Sequence, residues 1–345
     1  MKFKKLGRTD LDVSLICMGT MTYGEQNTQD EAFELLDYAF DQGVNFYDTA
    51  EMYPTPPKPR TVHRTEEILG NWETFQKQRD KIIMASKVVG PGEYMKHIRN
   101  GPRLTRDHII QALEGSLKRL KTDYIDLYQL HWPDRNTNYF GKKDYIHNSD
   151  EDMVPLEETL EALTRLKESG KIREIGVSNE TSWGLMKYLS LSEREGFSRM
   201  QTIQNPYNLL NRTYEINLAE VGHREDVGLL AYSPLGFGVL SGKYLNGNFP
   251  ENARITKWPH YSRYSSPEAV KATQMYLDIA KSLDISLATL SLAFVNSRPF
   301  LASNIIGATN LEQLKENIDS IHFEMNDEIL DKINQVHKIH SNPAP

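Results

Sequence analysis

Val44-Asn45-Phe46-Tyr47-Asp48-Thr49-Ala50-Glu51-Met52-Tyr53 is the stretch that decides how this chain reads. Val44 and Phe46 give it the apolar character of a buried strand, and the strand ends on a carboxylate, Asp48. A phenol, Tyr53, follows in the next loop. Strand packing accounts for neither group. Two later stretches finish in the same manner. Lys81-Ile82-Ile83-Met84-Ala85-Ser86-Lys87 ends on a lysine, and Tyr124-Ile125-Asp126-Leu127-Tyr128-Gln129-Leu130-His131 ends on a histidine. Asp48, Tyr53, Lys87 and His131 therefore stand at the carboxyl ends of three successive βα units. In a closed α/β barrel, that face carries the reactive groups.

Outward from this core, apolar strands alternate with helical periodicity. Residues 2–13 read as a β-hairpin turning at Gly7-Arg8-Thr9-Asp10, and an apolar strand over 15–18 runs into Gly19-Thr20. Helices are expected over 30–42 (stopped by Gly43), 65–75, 155–169, 183–191, 214–225, 267–283, 311–318 and 327–337. A further helix, capped by Thr105, carries Ile109, Ile110, Leu113, Leu117 and Leu120 on its apolar side. The remaining strands are expected over 172–178, 200–205, 229–233 and 302–306. Fully apolar strands, each followed by a helix, argue for a parallel sheet covered on both faces. Eight such units in about 250 residues or more suit a closed barrel. The predicted fold is one α/β domain over 1–345: a (β/α)8 TIM barrel with an N-terminal β-hairpin. Periodicity alone leaves an open doubly wound sheet as the alternative. That fold would place Gly-x-Gly-x-x-Gly after its first strand; here the first strand leads into Gly19-Thr20-Met21-Thr22-Tyr23-Gly24, and after Gly236-Phe237-Gly238 the next glycine, Gly242, comes one place late.

Two long segments, 132–153 and 236–266, follow barrel strands and so lie on the catalytic face. They hold Tyr139, Phe140 and Tyr145, and Phe237, Tyr244, Trp258, Tyr261 and Tyr264. Long loops in a compact domain are usually lids or binding loops. Residues 341–345 are expected to be irregular.

Composition limits the partners. The 345 residues carry 40 basic and 47 acidic side chains, a net charge of −7, which argues against a nucleic-acid surface. Cys17 is the one cysteine, so no intrachain disulfide forms and no zinc site of Cys/His type is available; no metal is expected. The N-terminus lacks the apolar core of a signal peptide, and no apolar run approaches the roughly 18 residues of a membrane span. The expected location is cytoplasmic, with no membrane and no obligate protein partner.

The Asp, Tyr, Lys and His positions resemble the catalytic tetrad of the aldo-keto reductase family, from Gly7 almost to the C-terminus. Within it, Gly19-Thr20-Met21-Thr22-Tyr23-Gly24-Glu25-Gln26, Glu51-Met52-Tyr53-Pro54, Tyr128-Gln129-Leu130-His131-Trp132-Pro133 and Ile203-Gln204-Asn205-Pro206-Tyr207-Asn208-Leu209-Leu210-Asn211-Arg212 resemble the Tas-like branch. The resemblance implies NADPH-dependent reduction of aldehydes or ketones to alcohols by hydride transfer, with Tyr53 as proton donor. A phenol has an ordinary pKa of about 10, so Lys87 is expected to lower it, with Asp48 holding the lysine and His131 orienting the carbonyl or sharing the proton relay. Pro54 stands where many relatives have glycine, which alters the pocket rather than the tetrad.

The same resemblance implies NADPH/NADP+ bound without a Rossmann fold. Gly19, Thr20, Gln26 and Asp48 would touch the cofactor from the first strands; Ser178, Asn179 and Gln204 would hold the carboxamide and Tyr232 would stack on the nicotinamide. Ser233, Pro234, Leu235 and Gly236 would follow the pyrophosphate, with Lys243 and Arg254 beside the phosphates. Gly307, Thr309, Gln313, Glu316 and Asn317 would take the adenosine end at a helix N-terminus. A small-molecule carbonyl would enter a pocket lined by Tyr23, Met52, Tyr53 and Trp132. The alternative is a nucleotide-binding regulatory module with little or no turnover, like the potassium-channel β subunits of the same family.

Overall fold

The computed structural model describes residues 1–345. A two-stranded antiparallel hairpin, β1 (Phe3–Lys5) and β2 (Asp12–Ser14), precedes a closed barrel of eight parallel strands. The barrel strands are β3 (Ile16–Gly19), β4 (Phe46–Asp48), β5 (Ile83–Val88), β6 (Ile125–Leu130), β7 (Ile172–Ser178), β8 (Met200–Pro206), β9 (Gly228–Tyr232) and β10 (Leu301–Ile306), with β10 pairing back to β3. The helices are α1 (Gln29–Asp41), α2 (Arg64–Asn71), α3 (Glu73–Lys77), α4 (Arg106–Leu120), α5 (Leu156–Glu168), α6 (Ser182–Glu195), α7 (Leu218–Arg224), α8 (Arg254–Lys257), α9 (Pro267–Ser282), α10 (Leu287–Asn296), α11 (Leu311–Asp319) and α12 (Asp327–Ile339). The barrel, the hairpin and both long loops agree with the sequence reading.

Strand alternation sorts the core into two sets. Ile16, Met18, Tyr47, Met84, Leu229 and Ala231 pack outward beneath the helices, while Cys17, Phe46, Ala85, Leu127 and Leu230 belong to a separate interior cluster. Leu6, Leu11 and Val13 of the hairpin join that interior cluster, so the hairpin closes the floor of the barrel. This parity carries upward: Asp48, Lys87, Gln129, Ser178 and Gln204 occupy inward positions near the strand ends.

The elements form where their caps say they should. Thr28 makes a reciprocal capping box with Glu31 at α1, and the Thr105 hydroxyl accepts from His108 N at α4. Several expectations are corrected. The helix expected over 65–75 breaks at Trp72, an extended residue whose indole donates to Asp37 Oδ1 at 2.7 Å. The one expected over 214–225 starts only at Leu218, because Asn217 has φ 72° and a single 3-10 turn precedes it. Ile110 points to solvent, not into the core. Helix α10 was not expected: Leu287–Asn296 is apolar all round, so it lacks the stripe that marks a helix at a glance. It packs against β10 and α11 and completes the helical ring, while α9 and α12 pair outside it. Residues 341–345 are irregular as expected, yet docked: Asn342 Oδ1 accepts from Arg212 N at 2.6 Å, Ala344 N donates to Leu210 O at 3.2 Å and Ser266 Oγ donates to Pro343 O at 3.1 Å.

Candidate active site

Adjacent strand ends bring three of the four candidate groups together and the next loop brings the fourth. Lys87 on β5 is fully buried, and its Nζ donates to Asp48 Oδ2 at 2.6 Å and to Thr49 O at 2.8 Å. The second Asp48 oxygen accepts from Gln204 Nε2 at 2.8 Å and from Gln129 Nε2 at 3.3 Å. A buried carboxylate so partnered stays where it is put. Tyr53 covers this pair: Lys87 Nζ lies 5.1 Å from its ring centroid, and the ring meets His131 edge-on at 5.7 Å. His131 sits one residue past β6, with its backbone N–H donating to Val88 O at 3.0 Å. Burial, with Lys87 adding to it, holds the imidazole pKa well below its ordinary value, so the ring is neutral at pH 7.

The expected lowering of the Tyr53 pKa does not occur in this structure. Burial pushes the phenol up, the Asp48 carboxylate pushes it further, and only Arg254 works the other way. Beneath the ring, the Lys87 ammonium is engaged by Asp48 and Thr49.

Next to the tetrad, Asn179 Nδ2 donates to His131 O at 2.9 Å and to Ser178 Oγ at 3.1 Å, Ser178 Oγ donates to Gln204 O at 2.8 Å, and Tyr232 OH donates to Asn179 Oδ1 at 2.6 Å. From Tyr232 the chain turns through Ser233 (φ 53°), Pro234, Leu235 and Gly236 (φ 52°), fixed by Asn208 Nδ2 donating to Ser233 O at 2.9 Å. Left-handed backbone at Ser233 is uncommon for a residue with a Cβ and marks a turn held by its surroundings. Lys243 and Arg254 follow, partly buried and without a carboxylate partner.

The far end is continuous with this loop. The Gln26 amide donates to Asn252 O at 3.1 Å, and Asn27 Nδ2 donates to Thr309 O at 3.0 Å. Gln313 accepts from both Thr309 N (3.1 Å) and Thr309 Oγ1 (3.2 Å), Asn317 Nδ2 donates to Gly307 O at 3.2 Å, and Glu316 accepts from the Ser286 hydroxyl. Gly19 lies where strands crowd, since a Cβ there would meet Ile306 O at 2.8 Å, and the Thr20 hydroxyl donates to Asp48 O at 2.9 Å.

The pocket wall needs one correction. Met52 and Trp132 form a small apolar cluster with Val89, Met95 and Ile98 against Tyr53. Tyr23 does not join it: it is fully buried in the main core, in the cluster that holds Tyr47 and Trp72.

The sequence reading also missed Gln129 and Glu51. Gln129 ties Asp48 to Gln204, and its only signal was an amide inside an apolar strand. Glu51, 1% exposed, is gripped by both Arg99 guanidinium nitrogens and accepts from Val89 N at 3.1 Å, while its carbonyl accepts from His63 Nδ1 at 2.6 Å. This knot fixes the segment between Asp48 and Tyr53. Partners so far apart in sequence leave no local pattern.

A sequence model of the Aldo/keto reductase family matches residues 15–338. The chain belongs to the aldo-keto reductase family. Among relatives of this aldo-keto reductase, "Protein tas" of Escherichia coli (strain K12) is 49% identical over 346 residues, covering 100% of both chains, in line with the Tas-like motifs. "Uncharacterized oxidoreductase YrpG" of Bacillus subtilis (strain 168) is 34% identical over 341 residues (97% of this chain, 96% of that one). "Probable voltage-gated potassium channel subunit beta" of Oryza sativa subsp. japonica is 32% identical over 345 residues (97% and 96%). The family is one of oxidoreductases, and no helix of the chain is long and apolar enough to cross a membrane.

Proposed function

We propose that this aldo-keto reductase reduces aldehydes or ketones with NADPH and that Tyr53 donates the proton. The observation that carries this reading is the Lys87–Asp48 pair at 2.6 Å beneath a phenol, with a neutral imidazole at the ring's edge. The residues fit a dinucleotide phosphate: Lys243 and Arg254 are cations without an acid for its phosphates, and Gln26 Oε1, a buried acceptor without a donor, could take a ribose hydroxyl. Lys243, Arg254 and the Ser233–Gly236 turn would hold the phosphates, Thr309 and Gln313 the 2′-phosphate end, and Ser178, Asn179 and Gln204 the carboxamide. Bound NADPH would supply the hydride.

The chain's own residues do the rest. Burial keeps Tyr53 protonated at neutral pH until a carbonyl oxygen gains charge, and the phenol then transfers its proton to that oxygen. The phenolate left behind lies within reach of the Arg254 and Lys87 charges. His131, neutral, can offer a ring N–H to the same oxygen without competing as an acid. Met52 and Trp132 keep water from the reacting face.

The test is oxidation of NADPH with a panel of aldehydes and ketones, comparing wild type with Tyr53→Phe. Repeated turnover lost in the variant while NADPH binding persists supports the assignment. A near-native rate in Tyr53→Phe sinks it. A single turnover per bound nucleotide would instead favour a regulatory role of the kind the rice relative's name suggests.

A further inference from the structure

Glu51 lies between the carboxylate that ends β4 and the phenol of Tyr53, and every polar group it has is engaged. Its N–H donates to Lys87 O at 3.2 Å, and its carbonyl accepts from His63 Nδ1 at 2.6 Å. One carboxylate oxygen accepts from Val89 N at 3.1 Å and from Arg99 Nη2 at 3.0 Å, and the other accepts from Arg99 Nη1. These bonds refer the loop to one short ruler. Lys87 carries the ammonium bonded to Asp48, Val88 O accepts from His131 N at 3.0 Å, and Val89 N holds Glu51. The lysine, the imidazole and, through Glu51, the segment that ends on Tyr53 are thus set against three consecutive residues. Arg99 closes the arrangement. Its backbone has φ 46°, followed by Asn100 at 57° and Gly101 at 109°. Two successive left-handed residues with a Cβ are uncommon and persist where the surroundings over-determine them. The same segment carries Met95 and Ile98, which cluster with Met52 against Tyr53.

We propose that Glu51 and Arg99 are positioning residues for the proton transfer. Clasped, they hold residues 49–53 against the end of β5, and so keep the Tyr53 phenol over Lys87 and beside His131 at the height where it meets a carbonyl oxygen. This rests on the reductase reading above and adds to it a pair that acts through the loop rather than on the substrate. A buried ion pair is often no more stabilising than apolar side chains of the same volume, so stability alone gives no reason for one here. Geometry does give one, because a displacement of about 1 Å from the productive arrangement can cost about 10²-fold in rate.

The experiment compares wild type with Arg99→Met, Arg99→Lys and Glu51→Gln, using NADPH and the fastest-reduced aldehyde or ketone of the panel above, at a temperature where thermal melts show each protein folded. Arg99→Met should lower kcat by roughly 10- to 100-fold while KM for the carbonyl and the affinity for NADPH stay near wild type. Arg99→Lys, which keeps the charge and a donor, should recover part of the rate. Should Arg99→Met not fold, Glu51→Gln, which keeps the shape and loses the charge, carries the same expectations. A near-native kcat in a destabilised variant would mean that the pair only braces the fold, and would overturn the proposal, as would a loss confined to KM. The second readout needs neither nucleotide nor turnover. It is the ring Cε1–H signal of His131 in NMR of protein carrying isotope-labelled histidine, assigned by its absence in His131→Asn. The Tyr53 ring meets that imidazole at 5.7 Å, so its ring current reports where the phenol stands. The signal should move in Arg99→Met and return part of the way in Arg99→Lys. A moved signal in a protein that turns over no carbonyl would support the placement of Tyr53 by the pair and sink the reductase reading. An unmoved signal would overturn the placement whatever the turnover.

Discussion

The two halves of the catalytic face are built on opposite rules. On the side of β4 to β6, the charged groups are closed on one another: Lys87 with Asp48 and Thr49, Asp48 with Gln204 and Gln129, Glu51 with Arg99. On the side of the 236–266 loop, Lys243, Arg254 and Arg263 meet no acid, and the backbone runs through left-handed residues at Ser233, Phe237 and Asn246. Groups that do chemistry must stand still, so their hydrogen-bonding capacity is used up internally. Groups that receive a ligand must keep capacity free.

Breaking the closed half should cost most. Tyr53→Phe removes the proposed proton donor without touching the Asp48–Lys87 pair, and turnover should fall by about 10²–10⁴-fold, the usual worth of a positioned acid. NADPH affinity, measured by fluorescence titration, should survive, and a parallel collapse of affinity would erase the distinction between the halves. Lys87→Met leaves Asp48 buried beside two amides with no counter-charge. Breaking such a pair costs about 3–5 kcal/mol. Chemical denaturation should show that loss and a partial recovery in Lys87→Met combined with Asp48→Asn; the absence of recovery would mean packing, not charge, is at fault.

The open half should respond in affinity rather than stability. Arg254→Ala should weaken NADPH binding by roughly 10- to 100-fold, and NADH binding less, with little change in melting temperature. An equal loss for both nucleotides would take Arg254 away from the 2′-phosphate.

The smallest effect is a pH slope. His131 is held neutral when folded but titrates near pH 6.5 when unfolded. Below that pH the unfolded chain binds the extra proton, so stability falls as pH drops, by at most about 1.4 kcal/mol per pH unit for one group. His131→Asn should flatten the slope below pH 6.5, and an unchanged slope would assign it to His63, His108 and His337, whose pKa values are also lowered by burial.

Much of the barrel was legible because its signals are local. Apolar strands alternating with helical periodicity, caps such as Thr105, and stop residues such as Gly43 can be read from a few neighbours. That Asp48, Lys87 and His131 would come together was legible because a charged or polar residue at the end of an apolar strand is conspicuous. What escaped depends on distant partners. Glu51 finds Arg99 across 48 residues, and Arg263 meets Phe140 from another loop. Tyr23 was misplaced because a tyrosine beside a catalytic loop reads as pocket lining, whereas its backbone turns the ring under the helices. The Lys87 effect on Tyr53 was misjudged because sequence shows that a cation is near but not how deeply the phenol is buried.

The hairpin floor has a consequence for traffic through the barrel. Leu6, Leu11 and Val13 pack beneath Cys17, Phe46, Leu127 and Leu230, so the hairpin covers the bottom with apolar side chains. The barrel is thus a vessel with one opening. Under the proposed mechanism, each proton given by Tyr53 would be replenished through the mouth that admits substrate, so refilling and product departure would share a single doorway.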